Sequence, residues 1–502
     1  MEFDKDLRSI QEARDLIRKA KAAQKALAAY DQARIDSLVK ALADAGIRNA
    51  EKLAKMAQEE TGFGKWQDKV LKNILGSRIV YEHIKDMKTV GVLREDKANG
   101  ITEIAVPVGV VVALIPSTNP TSTTLYKTLI SIKSGNSIVI SPHPSAKNCI
   151  LETVRILQEA AREAGAPNDI IQVVTTPTVD ATDSLMKNPD TGIILATGGE
   201  AMVHAAYSSG NPALGVGPGN GPAFIERSAD IDLAVKRIVD SQTFDNGTIC
   251  ASEQSIITED CIKDKVIASL KAHHCYFMSE EESSKVSRFI MRANNTMNPQ
   301  IVGRTALTIA DMAGIQVPQD TLVLITEHTG IGKNYPYSRE KLCPILAFFS
   351  VGNWEEACEL SIRLLENEGT GHTMTIHSTD ERVIMEFGRK KPVSRLLVNT
   401  PGALGGVGAT TGLVPALTLG CGAVGGSATS DNVGPENLYN IRRVARGLTE
   451  IEDIRKLASP GIFNESPAPR PAAVPESCPQ VSKSDIERIT SEVVKRVLAQ
   501  MQ

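Results

Sequence analysis

Over residues 4–88 the apolar positions recur with a helical period. Leu16, Ile17, Ala20 and Ala23 form one such set, and Ile35, Leu38, Val39 and Leu42 another. The residues between them are mostly Ala, Lys, Glu, Leu and Arg, all good helix formers. Helices with solvated charged faces are predicted here, with no chemistry attached. From Ile101 the pattern changes. Residues 106–116 are almost continuously apolar, as in a strand buried on both faces of a parallel sheet. A loop at 117–122, a helix to about 133 and a strand at 137–140 follow. The strand ends in Ser141-Pro142-His143-Pro144. A helix at 146–164, strands at 170–174 and 192–196 and a helix at 180–187 continue the alternation. Such strand–helix repeats predict an α/β, doubly wound sheet with ligands at its strand carboxyl ends. The pieces at those ends are Asn119, Ser141-Pro142-His143 and Thr197-Gly198-Gly199.

Residues 214–222 are a glycine-rich loop with almost no side chains, and a new domain begins at about 225–235. A strand at 255–258 and helices near 262–272 and 280–293 belong to it. At 502 residues the chain is too long for a single core. Its net charge of −4 offers no electrostatic case for nucleic acid or an anionic membrane. No apolar run reaches membrane-spanning length. The start, Met1 to Lys5, is charged and lacks the apolar segment of a secretory signal. Eight cysteines lie scattered without CxxC pairs or Cys/His clusters, so reduced thiols are expected and no metal site.

The candidate chemistry centres on Phe244-Asp245-Asn246-Gly247-Thr248-Ile249-Cys250-Ala251-Ser252. A nucleophile needs backbone freedom for close approach and little bulk around it, and Cys250 has both. The competing reading is a buried cysteine acting as a small apolar residue. The turn Thr197-Gly198-Gly199 before a helix suits a phosphate group, but a glycine pair also serves tight packing.

Five pieces in one order carry a resemblance: Pro116-Ser-Thr-Asn119-Pro, Ser141-Pro142-His143-Pro144, Thr197-Gly198-Gly199, Cys250 after Asn246-Gly247, and Glu340-Lys-Leu-Cys-Pro. Over about residues 5–450 the chain resembles the aldehyde dehydrogenase superfamily. Within it, the chain is similar to the CoA-acylating branch, which makes acetyl-CoA or propionyl-CoA from short aldehydes. The resemblance implies a cofactor domain at 1–228, with 89–107 in a small β oligomerisation extension. It implies an α/β catalytic domain at 229–425 and a C-terminal return at 426–463. By the same resemblance, Cys250 adds to the aldehyde carbonyl, and the Asn119 side chain with the Cys250 backbone N–H stabilises the oxyanion. A fixed uncharged donor suits an oxygen that gains charge only during reaction. Glu340 holds the nicotinamide ribose. Pro116, Ser141, Pro142, His143, Thr197, Gly198, Gly199, Val216 and Gly217 line the NAD. For Asn119 the competing reading is a turn residue before proline, and for Glu340 a surface charge.

One departure from the superfamily is informative. Hydrolytic members carry a glutamate before the cysteine, where it activates water. The matching loop here, Gly215-Val216-Gly217-Pro218-Gly219-Asn220, has no carboxylate. A CoA thiol ionises usefully near neutral pH and attacks a thioacyl group better than unassisted water. His372, in Gly-Thr-Gly-His-Thr, is either a proton relay to that thiol or a structural histidine. NAD over NADP follows from the resemblance alone, since the turn at Ser141 has neither an acidic nor a basic cluster. The alternatives kept are an acyl-phosphate reductase of the same superfamily and a non-catalytic interaction protein. A dimer or tetramer is expected.

Residues 464–481 have a proline-rich linker composition. An amphipathic helix over 482–502 follows, with Ser484 as its expected cap and Glu487 closing a capping box. Ile486, Ile489, Val493 and Val497 form its stripe, flanked by Val494 and Leu498. Docking on its own body or a short coiled coil would bury such a stripe. The arrangement is also similar to encapsulation peptides that bind microcompartment shell proteins. That likeness implies a location in the lumen of a bacterial microcompartment within the cytoplasm.

Overall fold

The computed structural model describes residues 4–458 and 482–499, apart from 293, 295 and 329, with backbone only at 494 and 497–499. The chain divides into two units, Met1–Lys97 with Ile101–Val444, and Ala98–Gly100 with Ala445–Gln502.

In the first unit, a five-stranded parallel sheet has the order Ile171–Val173, Ser137–Pro142, Val110–Ile115, Thr191–Thr197, Ala213–Val216. Both faces are covered, and the twofold alternation of side chains decides which residue meets which layer. Val111, Ala113, Ile115, Ile138 and Ile140 pack into one core with the helices Gln32–Arg48, Pro120–Lys133 and Lys147–Glu163. Val110, Val112, Leu114 and Val139 pack on the other side with Ala13, Ile17 and Ala20 of the helix Lys5–Leu27. This is the doubly wound arrangement expected from the strand–helix alternation.

The apolar run expected as one strand at 106–116 is divided between two sheets. Gly109 takes φ +112, and its N–H donates to Asn136 Oδ1 at 2.9 Å. A side chain would strain this corner. Residues before it belong to Ile101–Pro107, which joins Gly91–Asp96 and Tyr439–Ala445 in a three-stranded sheet. Glu103 and Arg443 pair across that sheet at 3.0 Å.

A seven-stranded parallel sheet makes the second core of this unit. Its order is Cys275–Phe277, Val323–Glu327, Ile345–Val351, Glu253–Glu259, Gly221–Ile225, Gly371–His377, Val393–Val398. The strand Gly221–Ile225, which a boundary at 228 places with the cofactor domain, lies in this sheet beside Glu253–Glu259. A β-strand cannot be assigned to a sheet by its own composition, because the partner that completes its hydrogen bonds is remote in sequence.

In the second unit, Arg446 N–H donates to Gly100 O at 3.0 Å, and a short helix spans Ile451–Lys456. The helix Lys483–Ala499 forms as expected. Its cap is Ser482 rather than Ser484: Ser482 Oγ accepts the Asp485 N–H at 3.2 Å. Asp485 thus stands three residues after the cap, where Glu487 was expected. Ile486, Ile489 and Val493 are about half exposed. The linker at 464–481 and the side chains of Val494, Val497 and Leu498 lie outside the described residues. Among the described residues no helix is long and apolar enough to cross a membrane.

Candidate active site

The helix Ile231–Thr243 ends in a short turn, Phe244–Gly247, and the chain passes Cys250 to enter the strand Glu253–Glu259. Asp245, Asn246 and Gly247 have φ of 48, 51 and 75° in succession. The first two are not glycine, so this backbone must be held from outside. The Asp245 side chain does the holding. Fully buried, it accepts the Lys65 N–H at 2.8 Å, the Thr248 hydroxyl at 2.7 Å and Lys69 Nζ at 2.9 Å, together with Lys72 Nζ. Asn246 Nδ2 donates to Gly303 O at 2.9 Å. Burial alone would raise the Asp245 carboxyl, but the Lys72 and Lys69 ammonium groups outweigh it and hold it below the usual range.

Lys72 connects this loop to Asn119. Its Nζ donates to Asn119 Oδ1 at 2.7 Å, to Thr248 Oγ1 at 3.1 Å and to Thr248 O at 3.3 Å. Asn119 caps the helix Pro120–Lys133, and its Nδ2 donates to Thr248 O at 3.1 Å. An ammonium on the oxygen side leaves one orientation for the amide, with its donors toward the loop that carries Cys250. Burial pushes Lys72 down to about 8 despite the opposing pull of Asp245.

Cys250 is half-buried. Burial pushes its thiol up to about 12, and nearby Glu340 and Cys421 push the same way against Arg395. The resting group is therefore a thiol, and any reaction at this sulfur must first remove its proton. The loop 215–220 passes directly over it: a Cβ at Gly219 would lie 1.8 Å from Cys250 O. That contact explains why the loop carries no side chain there. The Gly219 N–H donates to Glu340 Oε1 at 2.8 Å. Burial and the neighbouring Glu368 carboxylate push Glu340 up to about 8, so it is mostly neutral at pH 7.

His372 opens the strand Gly371–His377, with Nδ1 3.0 Å from Thr373 Oγ1. Its buried Nε2 has no protein partner among the described residues. Burial and Arg395 push it down to about 3, so it is neutral. Arg395 holds the strand by donating to His372 O at 3.0 Å and to Gly420 O at 2.7 Å. A Cβ at Gly406 would meet both Ala251 Cβ and Thr373 Cγ2, which places the His372 strand beside the nucleophile loop.

The other expected residues sit at the carboxyl ends of the five-stranded sheet. Pro116 follows Val110–Ile115, Ser141 and Pro142 end Ser137–Pro142, Thr197 ends Thr191–Thr197 and Val216 ends Ala213–Val216. Ser141 Oγ is engaged with Thr182 Oγ1 at 2.8 Å, and Thr197 Oγ1 with Thr418 Oγ1 at 3.3 Å. His143 is exposed. Gly199 is the cap residue of the helix Glu200–Tyr207, and Cβ atoms at Gly199 or Gly217 would meet nothing within 4 Å. Open space over a helix start and beside a strand end fits a pyrophosphate, and Glu340 Oε2 fits a sugar hydroxyl. Among the described residues no His/Cys/Asp/Glu group could hold a metal ion.

Cys250 precedes the strand Glu253–Glu259 and His372 lies at the amino end of Gly371–His377, the end opposite the usual ligand edge of a parallel sheet. Sequence reading missed Lys69, Lys72, Asp245 and Arg395. The one available signal was Lys69 and Lys72, three apart, in a segment taken as an ordinary solvated helix face.

Comparison with known proteins agrees with this geometry. The profile described as the aldehyde dehydrogenase family matches residues 7–297. The chain is 42% identical over 443 residues to the bifunctional aldehyde-alcohol dehydrogenase of Escherichia coli (strain K12), covering 87% of this chain and 50% of that protein. It thus spans about half the length of that relative. A solved acetylating aldehyde dehydrogenase from Geobacillus thermoglucosidasius superposes with a TM-score of 0.88 at 53% identity, over 89% of this chain and 99% of that one. A propionaldehyde dehydrogenase from the Clostridium phytofermentans fucose utilisation bacterial microcompartment superposes at 0.79 with 28% identity, over 86% and 97%. With that match to more than half of its length, the chain belongs to the aldehyde dehydrogenase family.

Proposed function

We propose that this protein oxidises a short-chain aldehyde, acetaldehyde or propionaldehyde, with NAD and CoA, giving acyl-CoA and NADH. The observation that carries the reading is the packing of a carboxylate-free loop on Cys250, with Gly219 against its carbonyl and Asn119 aimed at the same loop. In this reading Cys250 gives its thiol proton to water, its Sγ adds to the carbonyl carbon, and the oxygen takes the negative charge toward Asn119 Nδ2 and the Cys250 N–H. Bound NAD supplies the hydride acceptor. Glu340, Gly198, Gly199 and Gly217 are the groups that would hold it. The thioacyl group on Cys250 then passes to the CoA thiol. Water competes poorly because the loop over Cys250 carries no carboxylate, and Glu340, tied to the Gly219 N–H, is mostly protonated at pH 7. His372, neutral and with its Nε2 unpartnered among the described residues, is the candidate relay for the CoA thiol proton. The test is NADH formation with each aldehyde, with and without CoA. Acyl-CoA as the main product supports the reading, and mostly free acid with CoA present would refute it.

The exposed Ile486, Ile489 and Val493, together with the microcompartment origin of one relative, support packaging through 482–502. Fusing 482–502 to a fluorescent protein and co-expressing it with shell proteins tests this, with diffuse fluorescence as the negative result. Exposed Val92, Ile441 and Val444 on the three-stranded sheet support a homo-oligomer, which light scattering of the purified protein measures.

A further inference from the structure

Outside the active site, one nitrogen–sulfur pair is closer than any non-bonded contact allows. Cys358 lies on the helix Trp354–Asn367, and Lys391 follows the helix Glu381–Lys390 just before the strand Val393–Val398. Both are buried, at 4% and 7% exposure. Lys391 Nζ donates to Cys358 O at 2.8 Å and stands 2.5 Å from Cys358 Sγ. Other thiols here keep ordinary distances, such as 3.2 Å from Cys149 Sγ to Ala146 O and 3.7 Å from Cys421 Sγ to Leu419 O. A separation of 2.5 Å lies inside the van der Waals contact of nitrogen and sulfur, yet is too long for a direct bond. It matches the span of two single bonds through one light atom.

We propose that Cys358 and Lys391 are an oxidation site, at which one oxygen atom joins Sγ to Nζ as a covalent N–O–S bridge. The surroundings favour it. Apart from Sγ itself, Lys391 Nζ meets only Cys358 O among the described residues, so no carboxylate holds the amine as an ion. Burial lowers the Lys391 pKa, which favours the free amine with its nucleophilic lone pair. The neighbouring Lys390, by contrast, is paired with Glu386 at 3.1 Å.

The oxidant is dioxygen. The S–H bond and one N–H bond of the neutral amine break, and the O–O bond is cleaved. One oxygen atom forms the N–O and O–S bonds, and the other leaves as water with the two hydrogens. Sulfur and nitrogen each give up two electrons, which together reduce the dioxygen. Two equivalents of a dithiol reverse the change, returning amine and thiol and releasing the bridging oxygen as water. When formed, the bridge ties the helix Trp354–Asn367 to the segment entering Val393–Val398, the strand next to the one that carries His372. A cysteine without an adjacent amine would instead climb the sulfenic, sulfinic and sulfonic series.

The experiment is a non-reducing peptide map of the full-length protein, purified in air without reductant and with free thiols alkylated before digestion. The expected species is a cross-linked pair of peptides, one with Cys358 and one with Lys391, heavier than their sum by one oxygen less two hydrogens. It disappears after dithiol treatment and is absent from Cys358→Ser and Lys391→Arg. Complete alkylation of Cys358, Cys358 oxyacids with Lys391 unmodified, or a direct sulfur–nitrogen link lacking the oxygen would each overturn the proposal. The wild-type map decides the matter even if a variant fails to fold.

Discussion

Replacing Lys72 by methionine keeps most of the side-chain length and removes the terminal ammonium with its charge and donors. In the folded protein Lys72 is 2% exposed and gives hydrogen bonds to Asp245, Asn119 Oδ1, Thr248 Oγ1 and Thr248 O. Deleting one partner of a buried ion pair costs about 3–5 kcal/mol. Asp245 keeps Lys69 Nζ, the Lys65 N–H and the Thr248 hydroxyl, so about 3 kcal/mol, the lower end, is expected here. The catalytic effect works through Asn119. Deleting an oxyanion donor lowers kcat by about 100- to 1000-fold. Lys72→Met frees the amide without deleting it, so kcat should fall about 10- to 100-fold with KM for aldehyde little changed. Lys72→Arg keeps the charge and should recover part of the loss.

A pH series separates this from general damage. The folded pKa of Lys72 is depressed to about 8 from the ordinary lysine value of 10.5. Between those values the unfolded chain binds more protons than the folded one, so this residue makes stability rise with pH across that window. Activity moves the opposite way if the ammonium orients Asn119. The wild type should therefore show a falling kcat limb near pH 8 that Lys72→Arg lacks. Steady-state NADH formation and thermal unfolding, measured on the same preparations, check both. A Lys72→Met enzyme that folds and keeps wild-type kcat would refute the reasoning.

Cys250→Ala should abolish NADH formation while cofactor binding, followed by fluorescence quenching, survives; substantial turnover would show that another group is the nucleophile. Gly219→Ala puts a methyl 1.8 Å from Cys250 O, so loop or nucleophile must shift. A displacement of about 1 Å can cost about 100-fold in kcat, and steady-state kinetics measure it. Glu340→Gln should weaken NAD binding most above pH 8, where the wild-type carboxylate is ionised. Because its folded pKa is raised, Glu340 loses stability for the protein as pH rises from about 4.5 to about 8. Glu340→Gln should therefore raise the melting temperature at pH 8 and not at pH 4, as calorimetry at the two pH values reports. Ile489→Glu with Val493→Glu should leave soluble activity unchanged and abolish capture of the tail by shell proteins, since a carboxylate is costly to bury; retained capture would locate the contact elsewhere.

Local pattern was sufficient for the parts of this protein that local physics controls. The helices of residues 4–88 and the strand–helix alternation through Thr197 follow from periodicity, because side chains three to four apart, or two apart, share a face whatever lies beyond. The short motifs around Asn119, Cys250 and Glu340 stood out for a related reason: a tight turn, a helix start and a close backbone approach each demand particular small or polar residues nearby in sequence. The order of the two parallel sheets was beyond such reasoning, as was the division of the apolar run at Gly109, because hydrogen-bond partners of a strand are chosen across the whole chain. The same holds for Asp245 with Lys69 and Lys72, more than 170 positions apart. A lysine on an amphipathic helix reads as solvated until packing closes over it. Only then does desolvation make its partners obligatory, and only the tertiary structure decides that Lys72 spends its charge on Asp245 and Asn119 rather than on water.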